Sequence, residues 1–422
     1  MRTKNLAWTW WTIVAMGAMA CGGAPDSDER PGAASPSAPP ESGWTMAAEP
    51  LALPSSGSTS APQLTSSARG VILSWIEHTG STATLKFAER TADGWSDPRT
   101  VVSGDDWFLS WADVPSVVRM SDGTLAANWY PATDPLIEAY DIRLSYSRDD
   151  GNTWAPPFTP HHDGTKTQHG FVSLFELPDR TLGLVWLDGR EQELKSAEPA
   201  GGDMGLYFAR FDAQWKQTAE SAVNTRVCEC CPTAAAVTDD GVLAAFRDRT
   251  PREIRDINVT RLENESWTPA RPIHVDGWQI EACPVQGPAL SARGQQVAAA
   301  WFTAAGNQGQ TLAAFSSDAG RTWSDPVRLD DGVPRGHVDI ELLDDGSAVA
   351  PWVELADERS RLRARRVETS GARSAVFDLG AERVTGYPRV TRSADELVFA
   401  WNERAAGEDG DVIRGAVARI PR

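Results

Sequence analysis

Ser121-Asp-Gly-Thr-Leu-Ala-Ala-Asn-Trp129 reads as a tight turn followed by a strand that ends on an indole. The same phrase returns as Leu177-Pro-Asp-Arg-Thr-Leu-Gly-Leu-Val-Trp186, as Thr238-Asp-Asp-Gly-Val-Leu-Ala-Ala-Phe246 and as Leu343-Asp-Asp-Gly-Ser-Ala-Val-Ala-Pro-Trp352. Aligning on the closing aromatic gives seven units, at Trp75, Trp129, Trp186, Phe246, Trp301, Trp352 and Trp401, spaced 49 to 60 residues apart. Short strands, turns rich in Gly and Asp, and a fixed repeat of this length predict an all-β, seven-bladed β-propeller. No sustained 3.6-residue periodicity supports a helical solenoid. Six blades plus an accessory strand pair is the architectural alternative. The seventh unit stops after three strands near Ile420, and an apolar stretch at Glu49 to Leu53 is the candidate for its missing outer strand.

Outward from the repeat, the composition agrees. The chain has 422 residues with 35 Gly and 28 Pro, and 18 Trp against only 5 Tyr. Lys and Arg number 40 against 58 Asp and Glu, a formal charge of -18, which argues against a nucleic-acid partner or a membrane surface held by basic charge. Arg2 and Lys4 precede an apolar run from Leu6 to Ala20, too short to be read as a membrane span, and Cys21 follows. This segment resembles a bacterial lipoprotein signal. The resemblance implies export, lipidation at Cys21, and a location in the cell envelope on the periplasmic or cell-surface side, with membrane contact only through the lipid. The expected organisation is a signal at 1–20, a Pro/Ser/Ala/Gly-rich tether at 21–47, and a monomeric propeller at 48–422.

Two segments, Ser147-Arg-Asp-Asp-Gly-Asn-Thr-Trp154 and Ser316-Ser-Asp-Ala-Gly-Arg-Thr-Trp323, share the spacing S-x-D-x-G-x-T-W. This resembles the Asp box of the sialidase-like propeller superfamily. Asp149, Gly151 and Trp154, and likewise Asp318, Gly320 and Trp323, are then fold marks: the carboxylate folds back on turn amides and the indole packs between sheets. The superfamily implies release of a terminal acidic sugar by a Tyr nucleophile with a Glu partner, an Asp acid/base and an Arg clamp on the carboxylate. On that resemblance Tyr387, in Gly-Tyr-Pro, is the candidate nucleophile, Glu354 its partner (with Glu281 and Glu403 as alternatives), and Asp106 or Asp113 the acid/base. No N-terminal Arg-Ile-Pro-type segment supplies the first Arg of a triad.

Propeller topology puts the lead-in to each innermost strand and the loop after each second strand on one face. That rule gathers Trp107, Trp111, His169, His337, Tyr387 and four cysteines with Asp188, Arg190 and the loop Arg247 to Asp256. Arg190, Arg247, Arg249 and Arg255 are the candidate clamp for an anionic ligand, with Arg247 or Arg249 favoured because they follow a strand directly. The alternative is a self-paired network with Asp248, Glu253 and Asp256. Trp107, His169 and His337 complete the expected ligand rim. Cys228, Cys230, Cys231 and Cys283 form either two disulfides or, with His169 or His337, a copper or zinc site. His161 and His162 read as ordinary loop residues, as do His78 and His274. The sequence therefore supports an exported propeller that binds an acidic glycan, with possible exo-glycosidase action and no required cofactor. The alternatives are a non-catalytic surface binding protein and a metal-binding propeller.

Overall fold

The computed structural model describes residues 43–134, 137–195, 198–405 and 410–420, without the side chains of 193–195 and 198–201. The export signal, Cys21 and most of the expected tether lie outside the described residues.

Seven antiparallel sheets radiate from an axis. Blade one is built from Ser58–Ser67, Gly70–Thr79 and Thr82–Thr91, and blade two from Ser116–Arg119, Leu125–Trp129 and Arg143–Ser147. Blade three has four long strands, His169–Glu176, Leu182–Asp188, Met204–Phe211 and Gln217–Val227. Blade four is centred on Ala234–Thr238, Gly241–Arg247 and Ile257–Glu263, and blade five on Ala289–Arg293, Gln296–Thr303 and Gln310–Ser316. Blade six comprises Glu341–Leu342, Ala348–Ala356 and Arg359–Val367; blade seven comprises Val384–Ser393, Glu396–Arg404 and Asp411–Arg419. Each innermost strand touches that of the next blade, and the innermost strand of blade seven touches that of blade one. The ring is closed.

The recurring aromatics are the reason the blades stack. Trp75, Trp186, Trp301 and Trp352 are completely or almost completely buried, and Trp129, Phe246 and Trp401 join them in the layers between neighbouring sheets. Burying one such ring stabilises the fold by about 3 kcal/mol or more.

Blade seven takes its outer strand from the other end of the chain. Ala48–Leu51 runs antiparallel to Asp411–Arg419, with Ala48 opposite Ala418 and Leu51 opposite Gly415. Trp44 and Met46 pack against the same core. This pairing covers an edge that would otherwise be open.

The two S-x-D-x-G-x-T-W segments form matching turns. Ser147 Oγ accepts from Gly151 N at 2.8 Å, and Asp149 accepts from the Thr153 amide and hydroxyl at 2.9 and 2.7 Å. Ser316, Gly320, Asp318 and Thr322 repeat this at 2.9, 2.9 and 2.6 Å. A Cβ on Gly151, whose φ is +83°, would lie 2.5 Å from the Phe87 ring, which accounts for glycine there. Trp154 meets Phe87 edge-on at 6.2 Å.

Candidate metal centre

Strand pairing in blade three places His169, the first residue of the innermost strand, opposite Asp188, the last residue of the second. Both are fully buried. The loop that leads into this blade adds His161 and Asp163, and the end of the short strand Ala139–Tyr140 adds Asp141. Asp163 is set by a local turn: it accepts from Thr165 N at 2.9 Å and from the Thr165 hydroxyl.

The two imidazoles are stacked in parallel, 3.9 Å apart. One edge of the stack faces Asp163 Oδ2, with His169 Nε2 at 3.2 Å and His161 Nδ1 at 3.4 Å, while Asp188 Oδ1 is 3.7 Å from His169 Nε2. The opposite edge faces Asp141 Oδ1, 3.9 Å from His161 Nε2 and 3.8 Å from His169 Nδ1.

Backbone contacts assign the tautomers. Ile142 N donates to His161 Nε2 at 3.3 Å, so the proton of a neutral His161 sits on Nδ1 and points to Asp163. His169 Nδ1 donates to the Tyr140 carbonyl at 3.4 Å, which leaves the lone pair of a neutral His169 on Nε2. That nitrogen and Asp163 Oδ2 are buried 3.2 Å apart, without a well-aligned hydrogen bond between them. Burial opposes charge on both. For Asp163 it is outweighed by His161, His169 and Thr165, which hold the carboxyl well below the usual range; for His169 it is outweighed by Asp163, Asp188 and Asp141, which raise its pKa.

Asp188 has a different role. It accepts from Trp186 Nε1 at 2.8 Å, from Arg190 N at 2.9 Å, and from the Arg190 guanidinium at 2.9 and 2.8 Å, so its oxygens are occupied. Arg190 also pairs with Glu220 at 2.8 Å and lies 3.9 Å over the Tyr207 ring. The group therefore consists of an imidazole nitrogen and a carboxylate oxygen 3.2 Å apart, with Asp188, Arg190 and His161 bracing them. Ligand atoms about 2.0–2.1 Å from a tetrahedral zinc ion are separated by roughly 3.4 Å, close to the spacing seen here.

Among the described residues the cysteines Cys228, Cys230 and Cys231 form one candidate metal group and the histidines fall in others, so sulfur and imidazole do not share a site. Cys230 is bridged to Cys283, while Cys228 and Cys231 are buried free thiols with sulfurs 3.4 Å apart. One disulfide is present where two were the alternative to metal.

The loop arginines are largely paired within the protein. Arg247 is buried and donates to the carbonyls of Gln286, Arg255 and Phe302 at 2.7, 2.5 and 2.7 Å. Arg249 pairs with Glu253 at 3.0 Å and with Glu229, and Arg255 with Glu229 and Glu253 at 3.0 and 2.9 Å. The Tyr387 hydroxyl accepts from Gly287 N at 2.8 Å and donates to Val285 O at 2.9 Å. Tyr387, His337 and Trp111 form an aromatic group, with the His337 ring 4.9 Å from Trp111 and 5.0 Å from Tyr387. Burial, then Arg335, lowers the His337 pKa to about 4. The group stands by the central channel, a cavity of about 420 Å³ whose lining includes Asp113, Glu341, Tyr387 and Arg389. Asp113 accepts from Phe171 N at 2.7 Å and meets the Tyr140 hydroxyl at 3.2 Å. Glu354 accepts from the Trp352 indole, Asp106 is exposed, and Trp107 stacks on Trp129.

Sequence reasoning selected His169, Asp188 and Arg190 for this face but left out His161, Asp163 and Asp141. A signal was present: His161, Asp163 and His169 fall within the nine residues 161–169, in a segment leading to an innermost strand.

No protein-family model matches the chain, and comparison with curated proteins yields no match. Solved structures do match. The polysaccharide lyase Uly1 superposes with a TM-score of 0.52 at 10 % identity, over 86 % of this chain and 90 % of that one. The intramolecular trans-sialidase of Ruminococcus gnavus gives 0.46 at 10 % identity over 72 % and 94 % of the two chains. The α-L-arabinanase of Penicillium chrysogenum gives 0.47 at 14 % identity over 74 % and 94 %. At these identities the likeness is one of fold.

Proposed function

We propose that the protein is a metal-binding propeller whose centre takes a divalent ion on His169 Nε2 and Asp163 Oδ2, with Asp141 and Asp188 supplying negative charge around it. One observation carries this reading: a fully buried imidazole nitrogen and a carboxylate oxygen lie 3.2 Å apart without a well-aligned hydrogen bond between them, while the other imidazole nitrogen faces a backbone carbonyl. A buried lone pair facing carboxylates is unfavourable unless a proton or a metal cation lies between them, and the carboxylates here favour either. Asp141, Asp163, Asp188 and Glu220 against Arg190 and Arg143 leave a local negative charge that a divalent ion neutralises with both histidines uncharged. Imidazole and carboxylate donors suit zinc or a neighbouring first-row ion. Export and anchoring at Cys21 belong to the same proposal, which places the centre in the cell envelope.

The test is metal content of the protein purified from an oxidising compartment, followed by zinc addition to chelator-treated protein with thermal unfolding as the readout. About one retained equivalent, and a zinc-dependent rise in Tm lost in His169→Ala and Asp163→Asn, is expected. Saturation at about a hundred times Kd corresponds to about 2.7 kcal/mol. Wild-type protein that retains no metal and shows no zinc-dependent shift would refute the proposal.

Glycan binding is the second reading, favoured by Trp111, 42 % exposed beside His337 and Tyr387. Such a ring offers a flat apolar face to a sugar. Because Arg247, Arg249 and Arg255 are paired internally, this reading rests on the aromatic group and not on an arginine clamp. A glycan array without signal for wild-type protein would remove it.

A further inference from the structure

Beside the disulfide of the rim lie two thiols that the metal reading does not use. Cys228 and Cys231 are buried, and Cys283 sits in an exposed segment. Cys228 Sγ is 3.4 Å from Cys231 Sγ and 4.0 Å from Cys230 Sγ, one of the two bridged sulfurs. Arg255 Nη1 donates to Cys228 Sγ at 3.1 Å and is itself held by Glu229 and Glu253. Gln286 N donates to Cys231 Sγ at 3.2 Å. A guanidinium fixed against one sulfur, with a second thiol donating to it, is the arrangement that produces a thiolate nucleophile. The Cys231 thiol first and Arg255 after it, against the cost of burial, bring the Cys228 pKa down to about 6, while burial pushes Cys231 up.

We propose that these four cysteines form an internal thiol–disulfide relay, which moves a disulfide from the rim to the buried pair and presents Cys283 as a surface thiol. In the first step the Cys228 thiolate attacks Cys230 Sγ. The Cys228–Cys230 bond forms, the Cys230–Cys283 bond breaks, and the electron pair leaves on Cys283, which takes a proton from water. In the second step Cys231, after losing its proton, attacks Cys228 Sγ and the electron pair leaves on Cys230. Two thiols and one disulfide become two thiols and one disulfide, so no outside oxidant or reductant is needed. The released Cys283 is then open to exchange with small-molecule or protein disulfides.

The test is iodoacetamide labelling of the full chain, purified without added thiol, at about pH 8, with acid quench and peptide mapping of each cysteine. The wild type is expected to accumulate label on Cys283 and Cys230 together with a Cys228–Cys231 disulfide. Cys231→Ser stops after the first step, giving labelled Cys283 with a Cys228–Cys230 disulfide. Cys228→Ser loses Cys283 labelling and keeps the Cys230–Cys283 bridge. The relay is overturned if wild-type Cys283 stays unlabelled beside intact Cys228 and Cys231 thiols. It is equally overturned if the four cysteines are found as two disulfides or as four thiols, or if Cys228→Ser labels at Cys283 like the wild type. Should Cys228→Ser fail to fold, the Cys231→Ser product alone decides.

Discussion

Asp113→Asn should flatten the pH dependence of stability. Asp113 is 1 % exposed, and its carboxylate is held between Phe171 N and the hydroxyls of Tyr130 and Tyr140. Burial, only partly offset by those hydrogen bonds, raises its pKa from 3.8 to about 7. Between these two values the folded chain holds a proton that the unfolded chain has released. The contribution is therefore fully present below the unfolded pKa and is lost as pH rises through the folded one. A shift of this size, at about 1.4 kcal/mol per pKa unit, sets a ceiling of roughly 4 kcal/mol on the stability lost between about pH 4 and 8. Asparagine keeps one oxygen to accept from Phe171 N and adds an amide that cannot ionise. Urea unfolding of both proteins across this range should give near-equal stabilities at the acid end and a variant more stable than wild type by up to a few kcal/mol at the alkaline end. Glu341, raised to about 8 by burial, and Asp339, also raised, remain in both proteins and cancel in the difference. Parallel curves for wild type and variant would refute the reasoning.

Gly170→Ala should destabilise by about 1–3 kcal/mol and weaken zinc-dependent stabilisation, because the new Cβ would lie 2.0 Å from Asp113 Oδ2 and 2.7 Å from the Tyr140 ring, the wall behind His169; thermal shifts with and without zinc read both effects. Trp352→Ala empties a fully buried site between blades and should cost about 3–5 kcal/mol in chemical denaturation. Asp318, whose carboxyl is held at about 2 by Thr322, Ser316 and Arg321 N against burial, stabilises above its unfolded pKa and loses this as pH falls through about 2. Asp318→Asn should therefore be less stable than wild type at neutral pH, with the gap closing in acid titration followed by circular dichroism; a gap that is constant with pH would contradict the hydrogen-bond account.

The architecture was legible because its signal is repeated. Each Trp ends a second strand for the same reason, burial between two sheets, so spacing alone gives the blade count. The closing strand was legible from a missing partner at Ile420 and an apolar stretch near Glu49. The site was only partly legible. His169 and Asp188 follow from register within one blade, but Asp141 and Asp163 reach them through loop contacts such as Tyr140 N to Thr167 O, which no periodicity encodes. The arginine loop shows the same limit. Arg247 looked like a ligand clamp, yet two of the three carbonyls that take its protons belong to Gln286 and Phe302, residues far along the chain.

Pairing of Ala48–Leu51 with Asp411–Arg419 also fixes an order of events. A ribosome delivers the closing strand first and its acceptor last, so the ring stays open until nearly every residue has emerged. This contact spans almost the whole sequence, and such distant pairing is slow to form. A chain cut short in its last blade loses more than one strand. Its beginning is left with nothing to bind, and a segment meant to seal the molecule becomes a free adhesive end.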